Sequence, residues 1–259
     1  MYCNALSIII GRAVMSYNDA INEILQLYHS TIWGMEGRAR EIAKKEGRAY
    51  GGVLRSFKGE LVESIAKHMT KLAWEKLGGK EYRLAFKRTG IKLSIDREYI
   101  NKITNKNVRN FLVKNVERYY YRLPPDVLVY IDRTLVASIE CKAYAENAML
   151  KRILVDFTIT KKIYPNIIPI LIQLESQLGG DYSELKPSAL TFGSPSTHTL
   201  LSLFDVDLNI ITLLKGERRI DKPIHKKEFY KPLSRNSLEN AITVISGLLK
   251  KYLAKQTFF

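Results

Sequence analysis

The 259-residue sequence predicts an α/β protein with a central mixed β-sheet flanked by helices and further helical elements at both ends. Three observations carry this. Two β-rich runs, Val127 to Ile131 and Leu135 to Ile139, enclose the polar Asp132-Arg133-Thr134, which reads as a hairpin turn. Helical spacing follows at Met149, Leu150, Ile153, Leu154 and Phe157. Ile167 to Leu174 is then a nearly continuous apolar run of strand length, the pattern of a strand covered on both faces. Hairpin, crossover helix and covered strand together give a sheet with antiparallel and parallel pairs.

In chain order, Ile21, Ile24, Leu25, Tyr28 and Ile32 recur at three and four, a helix with one buried stripe that Gly34 and Gly37 interrupt. Gly51 to Leu77 reads as a longer helix on Val53, Leu54, Phe57, Leu61, Ile65, Met69 and Leu72, ended by Gly78-Gly79. Glu60 and Glu63 lie outside its apolar band, and periodicity does not separate them. YRLAFKR and IKLSI supply short strands around Thr89-Gly90. Asp96 resembles the N-cap of a helix running through Phe111 to Val116. Arg118 to Arg122, with three tyrosines, leads by an extended segment into the hairpin. Beyond the covered strand, Gly179 to Pro187 is a polar loop, Pro195 stands in another, and Asp207 to Gly216 holds a further strand. A last helix starts near Asn236, where Glu239 suggests a capping box, and buries Leu238, Ile242, Ile245, Leu249 and Leu253.

Composition narrows the function. The net charge of +15 favours a polyanionic partner, nucleic acid first and an anionic membrane surface second. Two segments concentrate it. Arg38, Arg40, Lys44, Lys45 and Arg48 fall within a few turns, as a solvated helical face or a phosphate contact. Lys215, Arg218, Arg219, Lys222, Lys226, Lys227 and Lys231, interleaved with Phe229 and Tyr230, read as a loop suited to nucleic acid. No apolar run is long enough to span a bilayer, and MYCNALSIII lacks the basic region of a signal peptide. Cys3 and Cys141 cannot build a disulfide framework or a zinc site, so the expected compartment is the cytoplasm. Four scattered histidines show no ligand spacing, and no glycine-rich phosphate loop is present, which leaves nucleotide cofactors unsupported.

The hairpin carries the chemistry. Asp126, Glu140 and Lys142 are charged residues set in otherwise apolar strands. Alternation puts Glu140 and Lys142 on one face and Ile139 and Cys141 on the other. With a three-residue turn, Ile131 faces Leu135 and Asp126 falls directly opposite Glu140. Two carboxylates so placed repel unless a cation neutralises them, and a divalent metal does so economically. Asp126 and Glu140 fit as metal ligands, with the main-chain carbonyl of Cys141 as a third, while Lys142 orients or deprotonates water and balances developing charge.

Pro125-Asp126, thirteen intervening residues, then Glu140-Cys141-Lys142 on a hairpin followed by a helix and a buried strand resembles the core of the PD-(D/E)xK nuclease superfamily, most closely a type II restriction endonuclease. The resemblance covers about residues 51–175. It implies a restriction-endonuclease-like core, Mg²⁺ dependence and products with 5′ phosphates. It also implies a helical glutamate in a G-x-x-x-E setting, which Gly59-Glu60-Leu61-Val62-Glu63 matches, favouring Glu63 over Glu60. Glu184-Leu185-Lys186 repeats the E-x-K triplet without that context. The expectation is one nuclease domain over 1–259: a helical extension at 1–50, the core, and a basic part at 176–259 for DNA contact and dimerisation. The substrate would be double-stranded DNA, cut by a homodimer. A Holliday junction resolvase, a repair nuclease and a catalytically inactive DNA-binding protein are the alternatives, and the chain is longer than resolvases of this core usually are.

Overall fold

The computed structural model describes residues 16–180 and 193–253; Cys3 and the Glu184-Leu185-Lys186 triplet lie outside them. The first helix, α1 (Tyr17–Glu46), begins where Ser16 accepts from the Asp19 N–H and ends at left-handed Gly47. It runs unbroken through Gly34 and Gly37, against the expected interruption. Each interior glycine costs about 1 kcal/mol, but Met35 and Ala39 continue the buried stripe beyond them. Burying a side chain the size of Met35 offsets this by about 2 kcal/mol, and Arg38 folds back to donate to the Gly34 carbonyl at 3.3 Å. Helix α2 (Tyr50–Lys76) packs alongside, and left-handed Gly78 turns the chain away.

Gly79 then lies against the fully buried Trp74, whose indole N–H reaches the Lys80 carbonyl at 3.0 Å. A Cβ at position 79 would sit 2.1 Å from the Trp74 ring. We expect Gly79→Ala to destabilise the fold by about 3 kcal/mol through this overlap, read as a fall in urea midpoint at unchanged slope.

Strand β1 (Leu84–Lys87) follows, then β2 (Ile91–Ser94). The single helix expected after Asp96 is two. Asp96 caps only α3 (Arg97–Lys102), and Asn105 accepts from the N–H groups of Asn107 and Val108 to open α4 (Lys106–Lys114). Side chains such as Asn105 compete with helical bonding and restart rather than continue a helix. Strand β3 (Tyr120–Leu123) pairs antiparallel with β2 as a separate two-stranded sheet.

The hairpin is β4 (Val127–Ile131) and β5 (Thr134–Glu146). Its turn holds two residues, Asp132 and Arg133, at φ 49° and 63°, and not the three expected. Ile131 therefore pairs with Thr134 and Tyr130 with Leu135. A plain two-residue turn would leave Asp126 and Glu140 on opposite faces, because paired residues then enclose an even number and these two enclose thirteen. The odd residue is absorbed elsewhere: Val129 pairs with Ala137, leaving Val136 as a bulge, and Val136 and Ala137 both enter the same core. From there Leu128 meets Ser138 and Val127 meets Ile139, so the next position brings Asp126 to Glu140. Arg83, nearly buried under Trp74, fixes the turn by donating through Nε to both Asp132 oxygens at 2.9 and 3.1 Å.

Helix α5 (Asn147–Ile163) crosses to β6 (Ile168–Gln177), parallel to β5, and β7 (Asn209–Thr212) extends the sheet in parallel to the order β1-β4-β5-β6-β7. Pro195 is not in a loop but opens α6 (Pro195–Leu203) behind the Ser194 cap, a position where its missing N–H costs nothing. The last helix, α7 (Arg235–Leu249), starts at Ser234, which accepts from Ser237 N–H at 3.0 Å. Glu239 pairs with Arg235 instead of closing the expected capping box. Helices α1, α2 and α7 share one core with the sheet through Tyr28, Ile65, Trp74, Ile139 and Ile242. On the other face α5 packs Leu150, Leu154 and Phe157 against Leu171.

Candidate active site

Strand alternation sets Ile139 and Cys141 against the α2 side, which turns Glu140 and Lys142 together to the opposite face, toward α5. Both lie in mid-strand, because β5 continues to Glu146. Asp126 sits in the bend before β4. The Lys142 ammonium bridges the two carboxylates, 2.8 Å from Asp126 Oδ2 and 2.7 Å from Glu140 Oε2. Asp126 Oδ2 also accepts the Cys141 main-chain N–H at 2.7 Å. In an extended strand the N–H and C=O of one residue point to the same edge, so the Cys141 carbonyl faces this site. The Cys141 thiol is buried on the far side of the strand.

Glu63 enters from α2. It is buried at 8% exposure and is held by Arg88 at 3.3 Å. Burial pushes its carboxyl up; Arg88 opposes this and the nearby Asp126 adds to it. Glu60 points away, exposed, and accepts from the Ser56 hydroxyl. A residue on the helix's apolar boundary can face either way, so the choice rests on tertiary packing.

Asp126, Glu140 and Lys142, but not Glu63, line a cleft of about 210 Å³ with Tyr121, Leu123, Met149, Arg152, Ile153 and Asp156. Sequence reasoning missed Tyr121, Arg152 and Asp156. The last two continue the Met149 and Ile153 face of α5 at helical spacing, a signal that was available. Gln173, which pairs with Lys142 across the parallel strands, is fully buried and donates to Thr212 Oγ1 at 2.9 Å.

Electrostatics here are those of a cation shared by two carboxylates. Burial lowers the Lys142 ammonium, but the fields of Glu140 and Asp126 and its hydrogen bonds to both more than offset that, so it is held above the ordinary lysine value. Burial pushes Glu140 up to about 7, with Lys142 opposing and Asp126 adding to the rise. A carboxyl whose folded pKa is raised binds its proton more tightly folded than unfolded. Its contribution is therefore complete below about 4.5 and is lost as pH rises through about 7. In EDTA, urea unfolding at pH 5 and pH 8 should show wild type losing about 2 kcal/mol more than Glu140→Gln across that interval.

The basic segments divide. Arg38 lies over Phe57, Arg40 pairs with Glu36 and Arg48 with Glu46 along α1. In the later loop two side chains turn inward: Lys231 pairs with the buried Glu175 at 2.8 Å, and Arg218 stacks on Tyr144 at 3.5 Å while bonding Gln177.

No protein-family model matches the sequence. Type II restriction enzyme DdeI of Desulfomicrobium norvegicum (strain DSM 1741 / NCIMB 8310) is 43% identical over 240 residues, spanning 92% of this chain and 98% of that protein. The chain belongs to the type II restriction enzymes. It is a site-specific restriction endonuclease, a hydrolase, as the hairpin motif implied. Two solved structures resemble this restriction enzyme at low identity. Bse634I restriction endonuclease is 12% identical, with 88% of this chain and 91% of that one covered and a TM-score of 0.37. The native BbvCI A2B2 tetramer is 13% identical, with 94% and 100% covered and a TM-score of 0.37.

Proposed function

We propose that this restriction enzyme hydrolyses both strands of double-stranded DNA at a fixed site, requires Mg²⁺ and leaves 5′ phosphates. The observation that carries the reading is the convergence of Asp126 and Glu140 on one cation, the Lys142 ammonium. Oxygens that gather around an ammonium at 2.7 and 2.8 Å have the chemistry to hold a divalent ion. Among the described residues no three carboxylate, histidine or cysteine side chains gather as a metal cluster. Two carboxylates and the Cys141 carbonyl are nevertheless the kind of partial shell that suits Mg²⁺, which keeps waters and takes oxygens from substrate phosphate. When bound, Mg²⁺ supplies charge neutralisation at the phosphate and acidifies water.

The chain's own residues do the rest. Lys142, held as an ammonium, orients the attacking water and balances charge building on the phosphate oxygens. Glu63 adds a carboxylate from the α2 side, and Asp156 with Arg152 closes the opposite wall. One such site per chain suits a twofold homodimer, each subunit cutting one strand of a palindrome. No helix among the described residues is long and apolar enough to cross a membrane.

Digestion of phage DNA with the purified protein and Mg²⁺ tests the reading. Discrete fragments carrying 5′ phosphates, absent in EDTA, are expected; a smear or intact DNA would refute it. In the same assay Glu63→Gln should slow cleavage about 100-fold, and Glu60→Gln should leave the rate unchanged.

A further inference from the structure

We propose that α4 is the helix that reads DNA bases, entering the major groove with Asn107 and Asn110 as adenine-recognising side chains and Lys106 and Lys114 beside them. The inference rests on the endonuclease reading and assigns its sequence specificity to a part of the chain outside both basic segments.

The module from Ile91 to Leu123 stands apart from the main sheet. Its β2–β3 ribbon is anchored by Ile91, Leu93 and Leu123, which pack on Leu128 of β4. Its helices are held far more lightly: Ile100 is the one buried residue of α3 and Leu112 the one buried residue of α4. An amphipathic surface helix normally buries a stripe, not a single side chain. Apart from Leu112 and half-buried Arg109, every residue of α4 is exposed.

The exposed face is chemically specific. Counting about 100° per residue from Leu112, Lys106, Asn107, Asn110 and Lys114 fall on the opposite side, pointing away from the protein. Asparagine is the side chain whose paired donor and acceptor match the major-groove edge of adenine, and lysine reaches guanine or phosphate. Exposed Phe111 and Val113 flank this face and suit thymine methyl groups. Between Ile91 and Leu123 eight Lys or Arg residues stand against three Asp or Glu, the balance expected at a polyanion. The same charge opposes a second copy of this chain at that surface, since a twofold contact would set Lys106 and Lys114 against their own equivalents.

Position fits the role. The ribbon that carries the module ends in Tyr121 and Leu123, and both line the catalytic cleft. Only residues 115–119 separate α4 from β3, so the helix is tethered to the strand that borders the cleft.

The test uses wild-type protein, the double variant Asn107→Ala/Asn110→Ala and the double variant Lys106→Ala/Lys114→Ala. Two duplexes serve as probes in Ca²⁺: one carrying the site mapped from the wild type's own digest, the other with that site scrambled. The asparagine variant should lose about 100-fold or more in affinity for the site and stay within about twofold on the scrambled duplex, with an unchanged thermal midpoint. The lysine variant should weaken on both duplexes alike, with a shallower salt dependence. An asparagine variant that keeps the wild-type ratio of site to scrambled affinity overturns the assignment while leaving the endonuclease reading intact. So does light scattering that shows either variant splitting a dimer, which would make α4 a subunit contact. Wild type that yields no discrete fragments overturns both.

Discussion

Lys142→Ala should lower the cleavage rate by about 100- to 1,000-fold or more while leaving DNA affinity within a fewfold of wild type. The rate loss follows from its position between Asp126 Oδ2 and Glu140 Oε2, where the reacting phosphate must come. Affinity is spared because most phosphate contacts in a chain of net charge +15 lie elsewhere. The substitution also strands two half-buried carboxylates without their cation, so the variant should be less stable in EDTA and recover when divalent metal is added. Single-turnover cleavage, with binding measured separately, checks both halves. Full activity in the variant would remove Lys142 from the chemistry and the proposed mechanism with it.

Asp126→Asn is expected to weaken divalent-metal binding about 100-fold and abolish cleavage at ordinary Mg²⁺ concentrations. The amide keeps the shape of the carboxylate and can still accept the Cys141 N–H now bound by Asp126 at 2.7 Å, so the bend before β4 should survive. What disappears is one of the two charges facing the cation, and with it part of the field that holds Lys142 protonated. Calorimetric titration with Ca²⁺ and with Mg²⁺ reads this directly. Indistinguishable titrations for variant and wild type would show that the carboxylate is not a ligand.

Much of this site could be read from the chain because its logic is periodic. Alternation along β5 requires Glu140 and Lys142 to share a face, and the apolar run of β6 requires cover on both sides, so the crossover through α5 was legible before any coordinate. Devices that depend on distant partners were not. The two-residue turn is stabilised by Arg83, forty-nine positions away from Asp132, and nothing local distinguishes it from a three-residue loop. Gly34 and Gly37 read as breakers because their cost is local while the compensation, Met35 and Ala39 against α2, is tertiary. Asp96 and Asn105 each cap a helix, and that the first of these stops at Lys102 depended on the chain turning extended at Ile103. Asp156 was overlooked for another reason: a carboxylate on an apolar helix face looks like an ordinary surface group until Lys142 is seen beneath it.

The bulge at Val136 makes the active site a matter of counting. Two residues added to the hairpin, one on each strand, would lengthen it and leave Asp126 facing Glu140. One residue gained or lost on either strand would carry every ligand on that strand to the other side of the sheet while altering no catalytic side chain. Descent of this hairpin is therefore constrained in parity more than in length, and a relative that lacks the bulge must restore the odd residue at its turn or lose the site. Alignments that slide a gap freely between Asp126 and Glu140 would miss this, since the two positions are coupled by an odd count rather than by the identity of anything between them.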